Sequence, residues 1–384
     1  MSFLFRLNGS NNISEMGMAM QNSEILHDLV RNKAIRLGRG KIFDTNLCPK
    51  SSSFDFDRIE GMLLGVAIGD ALGVTTESML PANRLSNFGV INHYIPNRYV
   101  NEARGFPSDD TQLTFWTLDQ IIQDGRFNPE NVARKFSNSG RIYGIGSTVR
   151  SFLRNYQSDM PWYQCGPESA GNGALMRIAP ILIPHLKSGG SNLWVDTALA
   201  TMITHNDRAA ISSCMAFIAI LWELLDMNTA PDKNWWLEKY LDVACDLEGE
   251  TSYTPRCKRF GDYEGSLWKF IDEKISWADD RNMSVLDACN DWYSGAYLLE
   301  TVPSVLYILM RHSHDPEEAI IRAVNDTKDN DTIAAIVGAA VGALYGKKAF
   351  PDRWLTNLSG RTNDRDDGRV FELIDKAKIF CPKG

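Results

Sequence analysis

The sequence contains no C-x-x-C pair and no H-E-x-x-H. Its seven cysteines stand apart, at 48, 165, 214, 245, 257, 289 and 381. An odd, scattered set argues against a disulfide framework and against a thiolate zinc site, and it fits a reducing cytoplasm. The P-loop and dinucleotide fingerprints are missing too. No uninterrupted apolar run reaches the roughly 18 residues that suggest a membrane span. The opening MSFLFRLNGS carries too short an apolar patch for a signal peptide, so no membrane is expected as a partner. Positive charge is also short: 40 Lys and Arg against 48 Asp and Glu give a net charge of −8. This excludes the broad basic face that nucleic acid requires, while leaving room for a local pocket that takes a phosphorylated small molecule.

What is present is ordinary core material, 44% hydrophobic and 10% aromatic over 384 residues, enough for one large domain or two average ones. Residues 1–55 stand out because they hold no Trp or Tyr. They are rich in Asn and Ser, with a basic stretch, RNKAIRLGRGK, at 31–41. Within them SEMGMAMQNSEILHDLV fits an amphipathic helix with Met18, Ile25, Leu26, Leu29 and Val30 on its apolar side. The segment reads either as a loosely attached leader or as a partner-binding arm.

From Arg58 to about residue 350 the periodicity is helical, with little alternation of period two. The spacing predicts helices over 58–73, 110–123, 174–186, 193–202, 208–226, 235–247, 265–278, 296–311, 316–325 and 332–346. The turns FPSDD, CGPESAGNG, THND and SHDPEE separate them. Residues 56–384 are therefore expected to form one large all-α domain.

Two stripes of small residues mark this domain. In GMLLGVAIGDALG, glycines recur at 61, 65, 69 and 73, and a second stripe runs Ala334, Gly338, Gly342, Gly346. Each glycine costs a helix interior about 1 kcal/mol relative to alanine, so close backbone packing is expected to return the loss. Acids gather at the ends of these helices. NDTKDNDT (325–332) precedes IAAIVGAAVGALYG, and SDDT (108–111) opens another helix. One carboxylate per helix start is capping and dipole stabilisation. Two such clusters of carboxylates and hydroxyls form a set of hard oxygen ligands suited to magnesium or manganese. Two cations there would cancel the repulsion and orient water or substrate oxygens. The loops GIGST (144–148) and SAGNGALMR (169–177) place glycines before expected helices, where free N–H groups bind phosphate.

Taken in order, GMLLGVAIGDALG with Glu77, SDDTQ, GIGST, GNGALMR, THND, KDNDTIAAIVGAAVGALYG and FPDRW resemble the ADP-ribosylglycohydrolase family over about 58–355. The resemblance implies a single orthogonal all-α domain with two Mg²⁺, or in some members Mn²⁺, in a cleft. It implies hydrolysis of the bond joining ADP-ribose to a protein side chain, above all arginine. By motif match, the metal ligands would be Ser108, Asp109, Asp110, Asp329, Asp331 and Thr332. The ADP-ribose site would use Gly144, Ile145, Gly146, Ser169, Gly171, Asn172 and His205. Asp110, Asp329 and Glu77 would serve catalysis, with Asp110 or Asp329 holding or deprotonating the attacking water. The motif departs from G-G-D-T-D-T: Lys328 adds a cation beside Asp329, and Asn330 replaces a threonine. Some family members are immunity proteins against ADP-ribosylating toxins. The alternative function is thus an inhibitor whose residues 1–55 block such a toxin. A catalytically idle relative is disfavoured by the retained acids, and a metal phosphatase by the lack of ligand histidines.

Overall fold

The glycines of the first stripe decide how the core is assembled. They fall about one turn apart along the helix Asp57–Gly73, and the second stripe runs along Asn330–Tyr345, with Gly346 as its C-cap at φ 79°. The two stripes face one another in antiparallel register. A Cβ built on Gly65 would stand 2.0 Å from the Gly338 carbonyl oxygen, one on Gly69 2.1 Å from that of Ala334, and one on Gly61 2.5 Å from that of Gly342. Only hydrogen fits in that space, so the backbones approach more closely than the usual 8–10 Å between helix axes allows. At the last position, a Cβ on Gly73 would lie 2.4 Å from both Cα and N of Asp331. Packing of the stripe thus delivers an acidic residue to the C-terminal end of the first helix.

This computed structural model describes residues 21–38, 40–96 and 102–382. Among these residues there is no strand, only four isolated bridges, and the all-α expectation holds. The helices Leu298–His312, Pro316–Asp326 and Arg208–Leu224 pack around the Asn330–Tyr345 helix. The stretch Asp57–Thr76 is long and apolar enough by composition to cross a membrane, yet 83% of its most apolar 18-residue window is buried inside the fold. It is the core helix of this domain.

Two expectations need correction. Residues 174–186 do not form an α-helix but two 3₁₀ segments, Leu175–Arg177 and Ala179–His185. Pro180 and Pro184 cannot donate backbone hydrogen bonds, and Pro184 lies inside the second segment, so the i→i−4 ladder cannot propagate. From Gln21 onward, moreover, the N-terminal segment is not loosely attached. The helix Asn22–Arg31 buries Leu26 and Leu29, with Ile25 half-buried and Val30 exposed. Asn22 Nδ2 donates to Asp196 Oδ1 at 2.7 Å and to the Phe127 carbonyl at 3.0 Å. Lys50 is buried, donating to the Trp222 carbonyl and to Asp226. The rest of the expected amphipathic helix, including Met18, lies outside the described residues. Short amphipathic helices at Pro81–Phe88, Pro129–Asn138, Ser147–Gln157, Val285–Trp292 and Arg369–Ala377 add to the predicted set.

Candidate active site

The helix Asp109–Asp124 has Ser108 as its N-cap, but the Ser108 side chain does not cap it. A carboxylate from another helix does. Asp70, in the last turn of Asp57–Gly73, accepts from the Ser108 N–H (2.9 and 2.8 Å to its two oxygens) and from Ser108 Oγ (2.8 Å). It also accepts from the Thr111 N–H at 3.0 Å and from Thr111 Oγ1 at 2.6 Å. Free first-turn donors of one helix are thereby satisfied by the other, which pins SDDT against the glycine helix. The adjacent Asp110 is fully buried.

Asp329, the N-cap of Asn330–Tyr345, is held from two sides. Asn172 Nδ2 donates to its Oδ2 at 2.6 Å and also to Thr301 Oγ1 at 3.0 Å, and its own N–H donates to the Ser294 carbonyl at 2.9 Å. Asn330, which departs from the family motif, turns inward and donates to Thr76 Oγ1 and to the Val324 carbonyl. It therefore braces the loop before Glu77 without entering the acidic set. Lys328 points outward, its ammonium 3.8 Å from the centroid of the Tyr293 ring. Buried Arg84 binds the carbonyls of Thr76, Met79, Asn325 and Thr327, tying the Glu77 loop to the segment that carries Asp329.

These anchors bring the acids into two adjoining groups. In each, one oxygen per residue lies within 4.8 Å of the others: Asp70, Asp110 and Asp331 in one, Glu77, Asp329 and Asp331 in the second. Asp331 belongs to both. Asp109 faces the same cleft, and Thr332 Oγ1 donates to Asp110 Oδ2 at 3.4 Å. Burial first, then mutual repulsion, pushes these acids upward. Asp109, Asp110 and Asp331 rise well above the ordinary range. Glu77 is raised to about 7 by burial and by Asp329 and Asp70. Asp329 is raised to about 6 by burial, against the opposing pull of Asn172. Asp110 Oδ1 is buried without a hydrogen-bond partner, a state natural proteins rarely leave uncompensated. Closely set hard oxygens, surplus negative charge and an orphaned carboxylate oxygen match a hard divalent cation. Asp70 sits among them, but its lone pairs are already engaged, so it orients the set.

A cleft of about 310 Å³ opens over this floor. Glu77, Asp109, Asp329, Asp331 and Thr332 line one side, and Gly144, Gly146, Ser169, Gly171, Asn172 and His205 line another. Ser108 and Asp110 lie behind the lining, and Ile145 packs half-buried against the core. Gly146 is the N-cap of Ser147–Gln157, so GIGST does present the start of a helix to the cleft; SAGNG, before its 3₁₀ turn, does not. Gly144 has φ 81°, and a Cβ there would lie 2.7 Å from Asp109 Oδ1. His205 is both a buried residue and a wall of the cleft. Burial and Arg177 depress its pKa to about 3, so it stays neutral, with Nδ1 2.9 Å from Thr204 Oγ1.

The sequence reading did not assign roles to Asp70, Arg84, Arg256, Tyr297 or Glu300. Arg256 is the one permanently cationic side chain on the cleft wall among the described residues. It is forked onto buried Glu300 at 2.9 and 2.6 Å and lies over the Tyr297 ring. No motif surrounds it. Asp70 was legible as an acid at a helix end, but its cross-helix capping emerges only from the packing.

These features define an all-α protein with an oxygen-only acidic centre at the floor of a glycine-walled cleft. A family model described as ADP-ribosylglycohydrolase matches residues 51–379; the chain belongs to that family and is an enzyme of that class. It is similar to ADP-ribosylarginine hydrolase Tri1 of Pseudomonas putida, with 28% identity over 86% of this chain and 81% of that one. ADP-ribosyl-dinitrogen reductase glycohydrolase of Rhodospirillum rubrum is 24% identical, over 84% and 97% of the two chains. A solved structure described as an ADP-ribosylglycohydrolase-related protein complex superposes with a TM-score of 0.62 at 25% identity. The match covers 85% of this chain and 98% of that one.

Proposed function

We propose that this enzyme releases ADP-ribose from modified arginine side chains, using two divalent cations, magnesium or manganese, held by Ser108, Asp109, Asp110, Asp329, Asp331 and Thr332. The observation that carries the reading is the pair of carboxylate groups sharing Asp331 beneath the cleft, with Asp110 Oδ1 buried and unpartnered. The arginine preference rests on the likeness to the Tri1 hydrolases. When bound, the cations supply charge neutralisation and Lewis acidity.

The chain's own groups divide the remaining work. Ser147 and Thr148, in the first turn of a helix whose start lines the cleft, offer first-turn N–H groups of the kind that suit phosphate, and Arg256 adds a positive charge. Neutral His205 and Gly171 form a close wall for the ribose end. Asn172 and Thr301 hold Asp329 in one orientation. Cleavage of the N-glycosidic bond develops positive charge at the anomeric carbon, which Asp329 and Glu77 stabilise. The Glu77 side chain has no hydrogen-bond or ion-pair partner among the described residues and faces the cleft. In this reading its carboxylate takes the proton of the attacking water and returns it to the departing guanidine nitrogen. Asp110, behind the lining, holds a cation and does not touch the sugar. The described residues of 21–55 lend no support to a toxin-blocking arm, since they are packed on their own domain.

The test is release of ADP-ribose from an arginine-ADP-ribosylated protein, with and without EDTA. Metal-dependent release is expected, and Asp110→Asn should lower it by about 100-fold or more. Cleavage of a serine-linked but not an arginine-linked substrate would overturn the arginine assignment.

A further inference from the structure

The last turn of the Pro81–Phe88 helix leaves its apolar side chains uncovered. A surface helix ordinarily turns its apolar side to the core. Here the buried side chains are Arg84 and Pro81, while Leu85 and Phe88 are 58% and 45% exposed. Leu80 and Val90, which flank the helix, are each 51% exposed. Residues 80–90 thus hold four of the nine large apolar side chains that the described residues expose. Scattered singly, such residues need no explanation; gathered together they mark an interaction surface.

The position of the patch identifies what it meets. Leu80 is three peptides from Glu77, so it lies within about 11 Å of that cleft residue. At the other end, Val90 precedes Ile91, whose N–H and carbonyl both pair with the Asn325 side chain, four residues before Asp329. On the inner side, Arg84 is bonded to the two segments that carry Glu77 and Asp329. The helix therefore braces the two acid-bearing segments through Arg84 and displays Leu85 and Phe88, one turn beyond Pro81 and Arg84 on the same side, beside them.

We propose that this exposed apolar stretch is the docking surface for the body of the ADP-ribosylated protein, contacting an apolar patch next to the modified side chain. The inference rests on the hydrolase reading above. A side chain that carries ADP-ribose into the cleft brings its protein against the rim, and this part of the rim is apolar.

The test compares two substrates on one variant. Wild type and Leu85→Glu/Phe88→Glu are assayed on ADP-ribosyl-arginine and on an arginine-ADP-ribosylated protein. Both side chains are exposed, so the fold is expected to survive, and circular dichroism with a melting curve checks it; Leu85→Asn/Phe88→Ser serves if the charged pair misfolds. The expected result is a fall of about tenfold or more in kcat/KM on the protein, carried by KM, with the small substrate within twofold of wild type. Equal loss on both substrates, or loss on neither, overturns the docking surface. So does a wild-type dimer that the variant converts to monomer, since the patch would then belong to a second copy of this chain. If wild type cleaves neither substrate, the hydrolase reading fails instead.

Discussion

Replacing Gly73 by alanine places a methyl group 2.4 Å from both Cα and N of Asp331. Ordinary contact needs about 3.4 Å or more, so the two backbones must part by about 1 Å. Overpacking of this kind costs about 1–3 kcal/mol, and a clash with backbone, which cannot rotate away, belongs at the upper end. Better helix propensity returns about 1 kcal/mol, leaving a net loss of about 2 kcal/mol. With an unfolding entropy of about 2.1 cal/mol/K per residue, that lowers Tm by only about 2–3 °C. The effect on the site is larger, because a displacement of about 1 Å in a reacting constellation can cost about 100-fold in rate. Gly61→Ala provides the control. Its methyl would meet Gly346 C at 2.4 Å and Gly342 O at 2.5 Å, an equal insult about 18 Å further along the helix. Differential scanning fluorimetry should show similar Tm losses for the two variants. Turnover of ADP-ribosyl-arginine should fall steeply for Gly73→Ala and by severalfold at most for Gly61→Ala. Equal turnover losses would refute the claim that the stripe positions Asp331.

Two further outcomes follow from the charges. Arg256→Gln, made together with Glu300→Gln so that no buried carboxylate is stranded, should raise KM for ADP-ribosyl-arginine about tenfold. It should weaken inhibition by ADP and leave that by adenosine unchanged; unchanged ADP inhibition would remove Arg256 from the phosphate site. In the metal-free protein, folded-state pKa values of about 7 for Glu77 and about 6 for Asp329 lie above ordinary carboxylate values. Between about pH 4 and 7 the native state then holds protons that the unfolded chain has released, so stability falls as pH rises through that window. EDTA-treated protein should melt higher at pH 6 than at pH 8, and added Mg²⁺ should raise Tm more at pH 8. An EDTA-treated sample that loses stability on acidification from pH 8 to 6 would contradict this.

The sequence was legible where one local pattern had one structural use. The period-four glycines announced a close helix pair, and the two acidic helix starts announced where charge gathers. What could not be read was the partner of each group. Nothing in GDALG says that Asp70 caps a different helix, because the hydrogen bond to Ser108 crosses 38 residues. Arg256 gains its place only when Glu300, 44 residues away, fixes its guanidinium. The error at 174–186 is of another kind: apolar spacing was weighed above the two prolines, whose missing donors turned the segment to 3₁₀ geometry. Nor does the motif say that Asn330, in place of a threonine, turns to Thr76 and Val324 instead of the acids.

The facing glycines also restrict how the chain can change. Where a large side chain meets a small one, an enlargement on one side can be offset by a reduction on the other. Gly65 and Gly338 have no such reserve, because each stands against the other's backbone and neither can be made smaller. A substitution at either position therefore has no compensating change at its neighbour. The contact must be kept whole, or the helix pair whose one end carries both acidic groups must be rebuilt along its length.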